Sequence, residues 1–300
     1  MQTGRRPLVW GMVGTMAVLI TFFLLALALT LLLSGEVGVA DSGAKVAIVP
    51  IEGVISSELA EKAVRQLQKY GADPTIKALV LRIDSPGGGV ASSQEIYATV
   101  KRLRGEGKLM VASMGSLAAS GGYYIACATE RIFANPGTIT GSIGVIVQLA
   151  NIEALLQKIG ISSTAITSGP FKDSGNPTRP LRPEERQAFQ TLVDDVYHQF
   201  VEAVAQGRHL PAPEVLQIAD GRIYTGRQAK ELKLVDELGT LQDAVNFAAS
   251  TLGIRGKPKI VEEGRERFWW LKFILESLPG YAIARSWSAT DAVLQYRWLY

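Results

Sequence analysis

Three hundred residues suffice for one large domain or two modest ones, and a composition of 47% hydrophobic and 20% charged residues is globular, not disordered. Thirty-one Lys and Arg against 28 Asp and Glu give a net charge of +3, and setting aside Arg5 and Arg6 leaves a nearly neutral body with no electrostatic footprint for nucleic acid. One cysteine, Cys127, cannot form an internal disulfide, and with only His198 and His209 beside it the usual zinc sites cannot be assembled, so no metal or other cofactor is expected.

After Arg5 and Arg6 the chain carries no charge from Pro7 to Leu33. Residues 8–33 are almost continuously apolar and as a helix span roughly 39 Å, enough to cross a hydrocarbon core of ~30 Å with some tilt. The next charges are Glu36 and Asp41, so the pattern predicts a membrane anchor over 1–33 with a cytoplasmic N-terminus and an exported body. A cleaved secretory signal is the alternative, because Gly38-Val39-Ala40 resembles a cleavage site. Such signals carry an apolar region of only about 7–15 residues, which favours the anchor. An exported body with one cysteine suits a bacterial cell-membrane protein that does not depend on disulfides. Residues 34–44 read as a linker.

Beyond the linker, β-branched runs alternate with helical patterns. Strands are predicted over 46–55, 78–83, 108–114, 131–133, 144–149 and 163–167, and helices over 58–70, 94–104, 120–129 and 152–159. This alternation predicts an α/β fold with a mostly parallel sheet. A proline-bearing loop, 169–183, leads into a long helix over 183–206. Pro183 suits its first turn, with Glu184 and Glu185 beside the positive end of the dipole. Leu192, Val196, Phe200 and Val204 recur every four residues and predict a buried stripe. Two or three further helices fill 213–252, so 45–255 reads as one domain. The 256–300 tail is amphipathic and strongly aromatic, with Phe268, Trp269, Trp270, Phe273, Trp287, Tyr296, Trp298 and Tyr300. Core packing, docking at a membrane interface and substrate gating all remain open for it.

The most informative stretch is Met114-Gly-Ser-Leu-Ala-Ala-Ser-Gly-Gly-Tyr-Tyr124, which follows a strand and opens a helix. Ser120 falls at the helix N-terminus, where unpaired amides favour an anion such as an acyl-transfer oxyanion. Taken alone, Ser120 reads first as an N-cap, for which serine is a preferred residue. A second glycine cluster, Asp84-Ser-Pro-Gly-Gly-Gly89, also follows a strand and precedes a helix. It lacks the Gly-Lys-Ser/Thr ending of a phosphate loop. Two such strand ends can supply two halves of an oxyanion hole. Ser120 sits in no GxSxG elbow.

A nucleophilic serine needs a base. His198 lies inside the long helix and reads as a partly exposed helix residue; His209 follows Gly207-Arg208 and reads as a C-cap. Lys172, in Ser168-Gly-Pro-Phe-Lys-Asp-Ser174 after a predicted strand, is the better base, although a lone loop lysine is ordinarily solvated. A solvated lysine titrates near ~10.4, so a base near neutral pH is expected to need burial, here beside Phe171, and the positive N-terminus of the serine helix. Asp173 would oppose this, so its carboxylate is expected to point away. Leu117, Ala118 and Ala119 offer small, apolar walls beside Ser120. An extended peptide is expected to add as a strand along 114–119 or 86–91, with small or apolar side chains next to the scissile bond.

These residues resemble the short-form, SppA-type signal peptide peptidases of serine peptidase family S49, on the ClpP/crotonase-like fold. The matching features are the N-terminal anchor, DSPGGG at 84–89, SGGYYIA at 120–126, GSIGV at 141–145, SGPFKD at 168–173, GRIYTGRQA at 221–229 and LVDELG at 234–239. The resemblance implies repeated ββα/βαβ units behind one transmembrane helix. It implies a Ser–Lys dyad with Ser120 as nucleophile, Lys172 as general base and Ser142 orienting the lysine amine, and oxyanion amides from Gly121 and either Gly87 or Gly88. It further implies a homo-oligomer that acts at the lipid bilayer on remnant signal peptides and other hydrophobic peptides. Two rivals share the fold. A crotonase-type acyl-CoA enzyme fits poorly with an exported body, and an inactive scaffold fits poorly with Ser120, Ser142 and Lys172 all present.

Overall fold

The computed structural model describes Met16 and residues 19–25, 44–254 and 256–262, together with the backbone of 295–297. The chain divides into two units, 1–42 and 43–300. In the first, Met16 and residues 19–25 are helical and exposed, and the rest of the expected anchor and linker lies outside the described residues. Among the described residues no helix is long and apolar enough to cross a membrane.

The second unit is built on β1 (Lys45–Glu52), α1 (Ser57–Ala72), β2 (Ile76–Ser85), β3 (Gly87–Gly89), α2 (Val90–Gly105), β4 (Leu109–Ala119), α3 (Gly121–Ala126), β5 (Arg131–Ala134) and β6 (Ile139–Gly141). There follow α4 (Glu153–Lys158), α5 (Pro183–Arg208), α6 (Ala212–Ile218), β7 (Ile223–Thr225), α7 (Gly226–Glu231), β8 (Glu237–Leu238), α8 (Leu241–Thr251), β9 (Lys259–Glu262) and β10 (Gln295–Arg297). Eight strands form one sheet in the order β7-β6-β4-β2-β1-β9, with β5 beside β4 and β8 beside β5. Every pairing in it is parallel except β6 with β7.

The near-continuous apolar runs of β1 and β2 follow from a sheet covered on both faces. Val46 and Ile48 of β1, with Ala78 and Val80 of β2, face Ala244, Val245 and Ala248 of α8. The alternate residues Ala47, Val49, Leu79 and Leu81 face the larger core under α1, α2, α3 and α5. Side chains close the helix starts where the sequence supplies caps: Ser56 Oγ accepts from Leu59 N–H, and Thr240 and Asp243 form a capping box.

Several expectations need correction. The strand expected to end at Met114 continues to Ala119, and it changes partner on the way: Val111–Ser113 pair with β5, Leu117–Ala119 with β6. The helix after Ser120 spans six residues, not ten. Residues 144–149 and 163–167 form no strand, so Lys172 does not follow one. Apart from a single bridge residue at Ile146, they make no strand pairing among the described residues, and strand propensity without a paired neighbour does not make a strand. Leu192 is 50% exposed, so the stripe on α5 is Val196, Phe200 and Val204. The first residues of the expected tail form β9, which pairs with β1 at the sheet edge.

Candidate active site

Asp84, at the end of β2, accepts from Leu117 N–H at 3.1 Å and Ser116 N–H at 3.4 Å. Gly115 makes this possible, since a Cβ there would lie 2.5 Å from Asp84 Oδ2. The hydroxyls of Thr138 and Thr140 donate to the Gly115 and Ala118 carbonyls, both at 2.7 Å. The end of β4 is therefore held between β2 and β6, and it delivers Ser120 at a fixed place.

Ser120 has φ 53° and ψ −117°, a region an L-residue enters only when its surroundings impose it. They do: its N–H donates to Gly141 O at 2.8 Å and its carbonyl accepts Tyr124 N–H at 2.8 Å. Its side chain makes no capping hydrogen bond, so the N-cap reading of Ser120 fails. The glycine cluster lies alongside. A Cβ on Gly121 would lie 2.5 Å from Ser93 Oγ and 3.3 Å from both Gly87 Cα and Gly88 N, so only glycine lets the two segments meet.

The two candidate oxyanion amides of that cluster are not equivalent. The Gly87 N–H is taken by Ser85 Oγ at 3.0 Å. The Gly87 carbonyl and Gly89 N–H pair with Ile55 at 2.9 Å each, which turns the Gly88 N–H and carbonyl to the opposite edge of β3. β10 runs antiparallel along that edge, with Tyr296 opposite Gly88. An extended backbone thus fits along the edge to which the Gly88 amide points. Ser85 and Ser93 also shape this cluster; in the sequence Ser85 stands in the glycine motif without a role of its own, and Ser93 falls just before the expected helix.

Ser142 also has positive φ, 50°, and is 7% exposed. Its N–H donates to Arg222 O at 2.8 Å, and a Cβ on Gly141 would lie 2.6 Å from the Tyr224 ring. The 221–229 motif therefore buttresses the turn that carries Ser142. A cleft of about 540 Å³ opens beside it, lined by Val145, Tyr197, Asp194 and Asp220.

The structure brings Ser120, Gly121, Gly87 and Gly88 together, but it does not join Lys172 to them. Lys172 is exposed on the 169–182 loop, Phe171 beside it is 53% exposed, and among the described residues no hydrogen bond or ion pair engages its amine. The Asp173 carboxylate is held by Arg179, which keeps its pKa below the usual value. Ala118 and Ala119 are fully buried, with β2 on one side and β6 on the other, while Ser116 is exposed. Leu117 is half-buried. His198 is exposed on α5, and His209 caps that helix in the left-handed conformation, its N–H on Ala205 O. Burial pushes the Cys127 thiol up to about 12.

A family model described as Peptidase family S49 matches residues 102–255, and one described as Clp protease matches 39–140. The chain is 50% identical over 210 residues to “Putative protease slr0021” of Synechocystis sp., covering 70% of this chain and 75% of that one. It is 37% identical over 262 residues to Protease 4 of Salmonella typhi, covering 85% of this chain and 42% of that protein. Over 181 residues it is 39% identical to “Putative signal peptide peptidase SppA” of Enterococcus faecium, covering 60% of this chain and 53% of that protein.

Proposed function

The chain belongs to peptidase family S49, and from that premise we propose a membrane-anchored serine endopeptidase that hydrolyses hydrophobic peptides, remnant signal peptides among them. The observation that carries this reading is the strained, uncapped Ser120 set beside Gly121 and the outward-facing amide of Gly88. Ser120 Oγ attacks the scissile carbonyl carbon while its proton passes to Lys172 Nζ. Gly121 and Gly88 N–H groups receive the developing oxyanion. Collapse expels the amine, which takes the proton from Lys172, and water then cleaves the acyl-enzyme by the same route. Ser142 orients the lysine amine.

Lys172 is proposed to serve Ser120 of a neighbouring copy in a homo-oligomer. What supports this is the 146–171 stretch, where Ile146, Ile152, Leu155, Ile159, Ile161, Ile166 and Phe171 are all at least 39% exposed. Seven large apolar side chains exposed within one stretch of chain suit an interaction face. The substrate enters as a strand along Gly88, which favours the 86–91 backbone over 114–119. The anchor places the catalytic body on the outer face of the membrane.

Incubation with a hydrophobic peptide ester, followed by mass spectrometry, is expected to find the acyl group on Ser120. An adduct elsewhere, or none with hydrolysis intact, overturns the assignment.

A further inference from the structure

Glu185 has no exposed surface, and a carboxylate so placed requires full pairing. It stands third in α5, and its oxygens accept from Arg179 Nη1 at 2.9 Å and Nη2 at 2.6 Å, Arg182 Nη2 at 2.5 Å and N–H at 3.0 Å, and the Ser174 hydroxyl at 3.3 Å. The same Arg179 guanidinium closes on Asp173, Nε to Oδ2 at 2.9 Å and Nη2 to Oδ1 at 2.8 Å, and reaches the Asp173 carbonyl at 3.1 Å. Arg182 in turn donates to the Pro170 carbonyl. One guanidinium thus bridges a carboxylate in the first turn of a 26-residue helix and the carboxylate next to Lys172. Residues on both sides of Lys172, Pro170 and Asp173, are tied to α5 while the lysine itself is left free.

The tie is confined to this turn. Residues 161–168, just before it, are exposed throughout. Bidentate arginine–carboxylate pairs carry geometric specificity as well as energy. A free Asp173 would draw the adjacent amine into an ion pair and favour the ammonium. Asp173, Arg179, Arg182 and Glu185 form one ion-paired cluster, while Glu184 and Arg186 of the same helical turn are exposed. Asp173, the carboxylate next to Lys172 in sequence, is thus engaged by Arg179.

The geometry points to Arg179 as the positioning residue for Lys172, fixing the 170–174 turn on α5 and keeping the Asp173 carboxylate engaged so that the amine is free to reach Ser120. This rests on the reading of Lys172 as general base. The test uses the full-length protein and a hydrophobic peptide substrate, with kcat, KM, the pH–rate profile, Tm and oligomeric state measured together. Arg179→Gln is expected to lower kcat roughly 10²-fold, the cost of misplacing a catalytic group by about an ångström. KM should stay within about twofold, and the rising limb of the pH profile should move to higher pH. Adding Asp173→Asn should return the limb toward its wild-type position while kcat recovers only in part. Arg179→Lys, which keeps the charge and loses the fork, is expected to fall between the two, and it decides the matter if Arg179→Gln does not fold. Wild-type kcat in the arginine variants, or a limb that neither moves nor returns, overturns the assignment. Lys172→Ala separates the two readings. Full activity there sinks the base itself, whereas an inactive Lys172→Ala beside a fully active Arg179→Gln sinks only the role of Arg179.

Discussion

The stretch from Gly115 to Gly122 is locked between β2 and β6, with side-chain hydroxyls and a carboxylate closing its backbone. Residues 144–182 instead carry one six-residue helix and expose seven large apolar side chains. The two regions hold the two halves of one proposed dyad. The first is complete within the chain and can afford a strained serine, because its neighbours over-determine the backbone. The second has its lysine turn fixed at α5 but leaves most of its large apolar side chains exposed. If the proposed dyad holds, the place of its nucleophile is set by the fold, whereas its base depends on assembly.

The sharpest way to break this comparison is to separate the halves. Ser120→Ala and Lys172→Ala should each lose on the order of 10⁴-fold in kcat or more, since members of a catalytic unit fail together. Mixed oligomers of the two variants should regain activity if the halves meet between copies. Verified mixing with no recovery would place both residues in one chain. Close behind in effect is the face itself. Ile159→Asp with Ile166→Asp should leave Tm of the isolated fold nearly unchanged, because both side chains are exposed, but should shift sedimentation toward the monomer and abolish activity. An unchanged sedimentation profile would assign that face to something other than a second copy.

The rigid half can be probed more finely. Gly121→Ala puts a methyl group 2.5 Å from Ser93 Oγ and should disturb the meeting with Gly88, lowering kcat by about 10²–10³-fold, the usual cost of losing an oxyanion donor. Combining it with Ser93→Ala removes the contacted oxygen and should restore part of both Tm and kcat. No restoration would mean that the clash with Gly87 and Gly88 dominates. A smaller effect is expected at the strand edge. Because β10 lies along Gly88, deleting 263–300 should lower KM a few-fold toward hydrophobic peptides if that edge is where substrate pairs. A higher KM would mean that the tail helps to build the site.

Periodicity made the centre of the sheet and two of its helices legible: β1, β2, β5, α1 and α5 stand within a few residues of their expected positions, whereas the short strands β6, β7, β8 and β9 were not foreseen. Ser120 and the 87–89 glycines were legible because glycine after a strand signals close backbone approach. What could not be read was the continuation of β4 through Gly115 and Ser116, since it depends on Asp84 and two threonines far away in sequence. Residues 144–149 and 163–167 look like strands for a similar reason. Their composition suits pairing, but among the described residues they join no sheet beyond a single bridge residue at Ile146. Positive φ at Ser142 left no mark in composition, being imposed by the Arg222 carbonyl and Tyr224 ring. For the tie on Lys172, Glu185 three residues after Arg182 was visible as a helix start, but its burial was not.

The smallest expected effect concerns acid. Hydrogen bonds from Arg179 hold the Asp173 carboxyl below its usual value, and those from Arg179 and then Arg182 do the same for Glu185. Groups depressed in the folded state contribute stability that is fully present above their unfolded values, roughly 3.9 and 4.3, and is lost as pH falls through the folded ones. The contribution should therefore be constant from neutral pH down to about 5 and fade below about 4. Glu185→Gln removes one of the two carboxylates, so the Tm gap between wild type and variant should be flat above pH 5 and should narrow on further acidification. Hydrogen-exchange protection over 170–182 should fall in the same window, and more in the wild type than in the variant, which keeps only the Asp173 pair. A gap that widens in acid would mean that neither carboxylate is held low, and the turn at Lys172 would then owe its place to packing instead of charge.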